Sequence, residues 1–253
     1  MTAPAHRLPT TRSMTRRRDV APREAASPDI VVRVSTARRV LDLLVASAML
    51  VLSLPVLALA ALLILLEDGG PVIFRQIRLG EGARPFTVYK LRTMRSSERG
   101  PAVTATDDPR ITRVGTWLRR LSIDELPQLW QVLRGQMTLV GPRPESQELA
   151  SRYVQPFRTV LLARPGLTGP AQLFYREASA VPPPGWTDTD AWYLSVLVPL
   201  RSQADLDYLA DPTLARTLRY LALTGLFVTG LADLQRSVDA PGATAQGQAG
   251  SGT

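Results

Sequence analysis

The sequence predicts an α+β fold: a predominantly helical, membrane-associated domain with a small β-hairpin and an N-terminal membrane helix broken by proline. Three observations predict it. Leu43 to Leu66 is a run of 24 residues without a charge, with Pro55 near its middle. Two short segments, Val72 to Ile77 and Pro85 to Leu91, flank a glycine-containing loop and read as paired strands. Beyond them the apolar residues recur mainly at helical spacing.

Each element follows in order. The uncharged run is long enough to cross a bilayer as a helix. Pro55 removes one backbone hydrogen bond, which favours a kink, and Ser53 is placed to help satisfy the freed carbonyls. Arg38 and Arg39 precede the run while Arg75, Arg78 and Arg84 follow it, so the positive-inside rule gives no direction. A re-entrant helix, bending at Pro55 and returning to the same side, would remove that conflict. A simple spanning helix and a cleaved signal peptide stay open on these residues. Gly69-Gly70-Pro71 ends the helix. After the hairpin, residues 95–109 form a polar loop. "ITRVGTWLRRLS" reads as a helix with Ile111, Val114, Trp117, Leu118 and Leu121 on one face. A second helix follows Ser122 and ends near Arg134-Gly135. "TLVGPRPE" is turn-rich, Glu145 to Ala163 mostly helical, and "ARPGLTGPAQL" a loop. Residues 181–190 are a Pro-rich surface insertion. Trp192 to Leu200 and Leu206 to Leu209 are helical, and Leu214 to Leu234 is an interfacial or core helix. The expected organisation is therefore a disordered basic leader (1–37), the membrane helix (38–68), a folded domain with interfacial helices (69–236) and a disordered tail (237–253).

Composition narrows the chemistry. The chain has 253 residues, no cysteine and a single histidine, His6 in a polar tail. Thiolate nucleophiles, disulfides and cysteine-ligated metals are excluded, and a histidine base or zinc site nearly so. The net charge of +8 does not mark a nucleic-acid binder: +6 of it falls on residues 1–39, just before the apolar run, and +2 on the remainder. Such a leader suits anionic lipid better than DNA.

The polar groups converge on "LSIDELPQLW". Asp124 and Glu125 stand side by side, and Ser122 with Glu125 fits the S-x-x-E capping box. The pair is therefore a helix start, chemistry, or both. Adjacent carboxylates without His or Cys suit a hard, oxygen-seeking cation, usually Mg²⁺ completed by substrate phosphates. A carboxylate is also a covalent nucleophile towards phosphorus. Arg119 precedes Asp124, and Arg143 follows it between two prolines, which restricts its freedom. Lys90 and Arg92 end the hairpin in "YKLRTM"; Lys90 is the only lysine in the chain. Together these point to phosphoryl chemistry at a membrane surface.

The ordered series "PVIFRQIRLG", "RPFTVYKLRTM", "DDPRITRVGTWLRRLSIDELPQLWQVLRGQMTLVGPRPE", "ARPGLTGPAQL" and "DLDYL" resembles the bacterial sugar transferases, the monotopic polyprenyl-phosphate phosphoglycosyl transferases, over about Arg39 to Thr229. The chain is similar to their minimal catalytic form. The resemblance implies transfer of sugar-1-phosphate from a UDP-sugar to polyprenyl, usually undecaprenyl, phosphate, with release of UMP. This would be the first membrane step of exopolysaccharide, capsule or glycoconjugate assembly. It implies Asp124 as nucleophile, Glu125 as partner in holding Mg²⁺, and Lys90, Arg92, Arg119 and Arg143 near the substrate phosphates. Asp205 matches the aspartate of "D-L-x-Y". It also implies a re-entrant helix broken at Ser53 and Pro55, in the bacterial inner membrane with the catalytic domain on the cytoplasmic face. A homodimer and a non-catalytic scaffold on the same fold stay open. Five departures lie outside the dyad: "GPAQLFYRE", the Pro-rich insertion, no acid near Thr217, the loop glycine at Gly82 rather than one residue later, and Leu54 between Ser53 and Pro55. The first two fall where sugar-dependent contacts are expected, so the sugar is unassigned.

Overall fold

The computed structural model describes residues 33–95, 108–175, 189–232 and 234. The expected leader, the polar loop at residues 95–109, the Pro-rich insertion and the tail fall largely outside them.

The first helix, α1, runs Thr36–Asp68. It begins where Ser35, in extended backbone, accepts from the Arg38 amide, and it extends past both ends of the uncharged run. At ~1.5 Å per residue it is about 50 Å long. It stays helical through Pro55. Ser53 Oγ donates to Leu50 O at 2.9 Å. The carbonyl that Pro55 deprives of its i+4 donor is that of Val51, so the serine bonds the neighbour of the expected acceptor.

Only a narrow stripe of α1 is buried: Arg38, Asp42, Ala46, Ser53, Ala60 and Ile64. Most of its large apolar side chains, from Val40 to Leu66, stay exposed, Leu52 at 76% and Leu66 at 75%. Among the described residues it is the one helix long and apolar enough to cross a membrane. Both of its ends are held by the rest of the chain. At the N-terminal end, Arg38 donates to Val140 O, Arg39 to Val132 O and Leu133 O, and Asp42 accepts from Thr138 Oγ1 (2.7 Å) and the Leu139 amide (3.0 Å). At the other end, the Glu67 carboxylate accepts from the amides of Arg113 and Val114.

The hairpin forms as expected. Strands β1 (Ile73–Leu79) and β2 (Pro85–Leu91) pair antiparallel, with Phe74 opposite Lys90 and Arg78 opposite Phe86. Helix α2 is Arg113–Arg120. Its buried face is narrower than the apolar pattern suggests. Leu118, with half-buried Val114, packs among Ala60, Ile64 and Leu91, whereas Trp117 (63%) and Leu121 (44%) are exposed. The backbone of Gly115 lies against the Thr93 carbonyl so closely that a Cβ there would overlap it. Trp117, two residues and about 200° round the helix from Gly115, faces away from that contact.

A 3₁₀ turn, Ile123–Gln128, leads into α3 (Leu129–Leu133). Next come β3 (Thr138–Val140), α4 (Gln147–Ser151), a second 3₁₀ turn (Phe157–Leu162), β4 (Gly166–Thr168) and α5 (Pro170–Tyr175). Strands β3 and β4 pair in parallel, a two-stranded unit placed where the sequence suggests only turns and loop. The stretch expected to be helical from Glu145 to Ala163 is instead two short pieces. Pro156 has no amide to donate and separates them. Helix α6 (Thr189–Trp192), a π turn (Tyr193–Leu197) and α7 (Val198–Leu209) then run on without interruption. Helix α8 is Leu214–Val228.

The main core joins Ala46 of α1 to Leu129, Val132, Met137, Leu139, Val140, Ala163 and Tyr208. Helix α8 closes it: Tyr220 packs edge-on against Tyr208, and Thr217, fully buried, shares a 2.9 Å hydrogen bond with the Tyr208 hydroxyl. Near Thr217, where the resemblance led to an acid being expected, the chain thus carries a neutral hydroxyl pair.

Candidate active site

The dyad is placed by a reversal of the chain between α2 and the 3₁₀ turn. Thr112 caps α2 by accepting from Gly115 N at 2.9 Å. The close Gly115–Thr93 packing brings Arg119 to the end of the hairpin, where its Nε donates to Thr93 Oγ1 at 2.8 Å. Ser122 then takes the left-handed conformation (φ 58°, ψ 19°), and Asp124 and Glu125 follow in the first turn. This corrects the capping-box expectation. A capping residue needs extended backbone for its oxygen to reach the amides ahead. Ser122 lacks that conformation and makes no side-chain cap; the Glu125 amide bonds the Ser122 carbonyl instead, at 3.2 Å. The element carrying the acids is also a short turn interrupted by Pro127, with little axial dipole to offer. Positive potential at the dyad comes from side chains.

Glu125 Oε1 lies 2.6 Å from Lys90 Nζ and 3.5 Å from Arg143 Nη1. Asp124 is 7% exposed. Burial lowers the pKa of Arg119, and the Asp124 carboxylate works against that shift, so the two charges sense one another. Lys90 from β2 and Arg143 from the loop after β3 therefore meet at Glu125, while Arg119 of α2, held by Thr93, lies close enough to feel the Asp124 charge. Arg143 keeps 39% of its side chain exposed.

That loop is anchored on both sides. Gly141 N donates to Thr168 O (2.9 Å) and Gly166 N to Pro142 O (2.8 Å), which continues the β3–β4 ladder. A Cβ on Gly166 would overlap Gly141, so this approach requires glycine. On the far side stands Glu145, which sequence reasoning did not single out. Its carboxylate accepts from Tyr193 OH (2.7 Å), Tyr153 OH (2.9 Å), the Ser146 amide (2.8 Å) and Arg78 Nη1 (3.3 Å). Burial raises its pKa, but the Arg201 charge and these hydrogen bonds outweigh burial and hold it below the usual carboxylate range. The one sequence signal was its place as the last residue of "GPRPE".

The other expected residues lie elsewhere. Arg92 is 6% exposed and turned towards the end of α1. Its guanidinium donates to the carbonyls of Asp68, Gly69 and Gly70 and pairs with Asp68 Oδ2 at 3.3 Å. It closes the C-terminal carbonyls of that helix. Asp205 is 4% exposed on α7 and accepts from the Ala171 amide at 3.2 Å. Burial pushes its pKa up to about 7, against the Ala171 amide and the Arg201 charge.

For a divalent cation, the described residues hold no cluster of three or more His, Cys, Asp or Glu. Two adjacent carboxylates do fit Mg²⁺, which commonly binds one or two carboxylates and takes its other oxygens from water and substrate phosphate.

Paired carboxylates ringed by Lys90, Arg119 and Arg143 define a site suited to an anionic, phosphate-bearing substrate. The chain belongs to the bacterial sugar transferase family, whose sequence profile matches residues 33–229. It is 43% identical over 198 residues to the UDP-glucose:undecaprenyl-phosphate glucose-1-phosphate transferase of Caulobacter vibrioides, covering 76% of this chain and 70% of that one. It is 43% identical over 147 residues to the UDP-N-acetylgalactosamine-undecaprenyl-phosphate N-acetylgalactosaminephosphotransferase of Aeromonas hydrophila. That match takes in 56% of this chain and 35% of the relative. The exopolysaccharide production protein PSS of Rhizobium leguminosarum bv. phaseoli is 46% identical over 140 residues, covering 50% of this chain and 68% of its own.

Proposed function

We propose that this protein transfers a sugar-1-phosphate from a UDP-sugar to undecaprenyl phosphate and releases UMP, through a covalent phosphosugar on Asp124. The convergence of Lys90, Arg119 and Arg143 on the Asp124–Glu125 pair carries the proposal; relatives named for this reaction support it. A non-catalytic scaffold would gain nothing from cations gathered at a carboxylate pair of which one member, Asp124, is buried and the other, Glu125, is partly open to solvent.

In the first step an Asp124 carboxylate oxygen attacks the phosphorus bearing the sugar. A P–O bond to Asp124 forms, the bridging P–O bond breaks, and UMP leaves with that electron pair. In the second, an oxygen of the lipid phosphate attacks the same phosphorus and returns Asp124 as carboxylate. Lys90, Arg119 and Arg143 hold the phosphate oxygens and lower the repulsion between two anions. Mg²⁺, held by Asp124 and Glu125 with substrate oxygens, would supply further charge neutralisation on the diphosphate. Relatives act on different sugars, glucose and N-acetylgalactosamine, so they do not assign one here.

The same reading places the protein at the bacterial inner membrane, facing the cytoplasm, with α1 in the bilayer. The exposed apolar face of α1 supports burial in lipid. The attachment of both its ends to one domain favours a re-entrant path over a crossing. Exopolysaccharide assembly is the setting suggested by the Rhizobium relative. The test is purified protein with undecaprenyl phosphate, Mg²⁺ and a panel of UDP-sugars, following UMP. Turnover with at least one sugar is expected; a folded protein silent with all of them overturns the proposal.

A further inference from the structure

We propose that Glu145 is a positioning residue that sets Arg143 against the dyad, and that Tyr193 and Arg201 complete the clamp. The proposal rests on the reading of Arg143 as a phosphate-gripping side chain.

Arg143 is long, partly exposed and therefore costly to hold in one geometry, since such a side chain loses the freedom of several torsions. What it can rely on is its backbone. One side of its loop is fixed by main-chain hydrogen bonds to β4. The other side is fixed by Glu145, two residues on. Pro144 between them has a locked φ, so little slack separates the anchor from the arginine.

Glu145 is 7% exposed and tied to three elements at once. Its carbonyl accepts from the Leu79 amide at 2.8 Å, at the end of β1. Its Oε1 takes Arg78 of the same strand, and its Oε2 takes both tyrosine hydroxyls, Tyr153 after α4 and Tyr193 in the π turn. Arg201 Nη1 donates to the Tyr193 hydroxyl at 3.1 Å, and its guanidinium lies 5.9 Å from the centre of that ring. The π turn itself places Tyr193: one extra residue per turn between α6 and α7 alters the phase of the helix at this point.

The carboxylate also has an electrostatic task. Arg78 senses both Arg143 and Glu125. With Glu145 beside it, the positive charge of Arg78 is offset and repels Arg143 less. Glu145 thus acts on Arg143 through the backbone and through Arg78, without itself reaching substrate.

The test is a double-mutant cycle read in kcat/KM for the UDP-sugar, with melting temperatures recorded alongside. Arg143→Ala alone is expected to lose roughly 10²-fold. Glu145→Gln alone is expected to lose roughly 10-fold or more, the scale of a small misplacement of a catalytic group. The two together are expected to be no worse than Arg143→Ala within about 2-fold. A purely structural role would cost the same factor in both backgrounds, and multiplied losses would overturn the proposal alone. Unchanged kcat/KM in Glu145→Gln would do the same. Wild-type kcat/KM in Arg143→Ala would overturn the phosphate reading of Arg143 and this proposal with it. If Glu145→Gln does not fold, Tyr193→Phe, which removes one hydroxyl and keeps the ring, enters the same cycle with the same criteria.

Discussion

Lys90 Nζ lies 2.6 Å from Glu125 Oε1, and Arg143 Nη1 approaches the same oxygen at 3.5 Å. One carboxylate oxygen thus gathers a cation from the hairpin and another from a loop some fifty residues further along the chain. Glu125 organises the positive side of the site before any substrate arrives. Lys90→Met is expected to lower kcat/KM by roughly 10²–10³, the usual cost of removing one donor to developing charge. The pair is only partly buried, so the loss of stability should be small, on the order of 1 kcal/mol. Steady-state kinetics beside a melting curve separate the two effects; a large fall in melting temperature with little kinetic change would reverse the assignment.

Asp42 ties α1 to the domain. It is fully buried and accepts from Thr138 Oγ1 and the Leu139 amide. Removing a buried, hydrogen-bonded charge leaves its donors unpaired, so Asp42→Ala should cost roughly 3 kcal/mol. Thermal unfolding in detergent should show a clear drop. An unchanged melting temperature would mean that the helix start is not part of the folded domain.

Asp205 should make stability depend on pH. Its folded-state pKa is pushed up to about 7, against about 3.9 for an exposed aspartate. The folded state therefore keeps a proton that the unfolded chain releases between these values. The favourable contribution is complete below about pH 4, declines as pH rises towards 7, and is absent above that. Asp205→Asn stays neutral and does not follow this decline. Its unfolding free energy relative to wild type, from denaturant titrations, should be more favourable at pH 8 than at pH 5, by an amount on the order of 2 kcal/mol. An identical difference at both values would rule out the buried neutral acid.

The path of α1 can be read by single-cysteine labelling, since the chain has no cysteine of its own. Ala37→Cys and Arg113→Cys flank its two ends, Arg113 through the Glu67 contact. Both should react with an impermeant reagent from the same side of the membrane. Labels on opposite sides would establish a crossing helix.

Much of this was legible from local pattern. The hairpin announced itself through Pro and Gly punctuation, and α1 through the length of its uncharged run. Lys90, Arg119 and Arg143 stood out through residue type and spacing, and the structure brings them to the dyad. What was hidden is long-range. Strands β3 and β4 are three residues each, too short to show a period, and are recognised only when paired. Glu145 meets Arg78 and Tyr193 across 67 and 48 residues. Arg38 was read only as a basic flank of the apolar run and Asp42 was not singled out, yet both are buried against β3. Arg92 shares a strand face with Lys90 by alternation, but β2 ends at Leu91 and the chain turns away towards α1. The capping box failed for a local reason: the sequence fits, but the backbone at Ser122 is left-handed.

The proposed mechanism turns on a covalent bond between Asp124 and the sugar phosphate. The direct measurement is intact-protein mass spectrometry with parallel UMP detection, in Mg²⁺ and an accepted UDP-sugar but without lipid phosphate. The expected result is a mass increase of one sugar phosphate and release of UMP stoichiometric with enzyme, both absent in Asp124→Asn. Chasing with undecaprenyl phosphate should remove the adduct. Release of UMP only when lipid phosphate is present, with no adduct at any time, would contradict the account and indicate direct transfer.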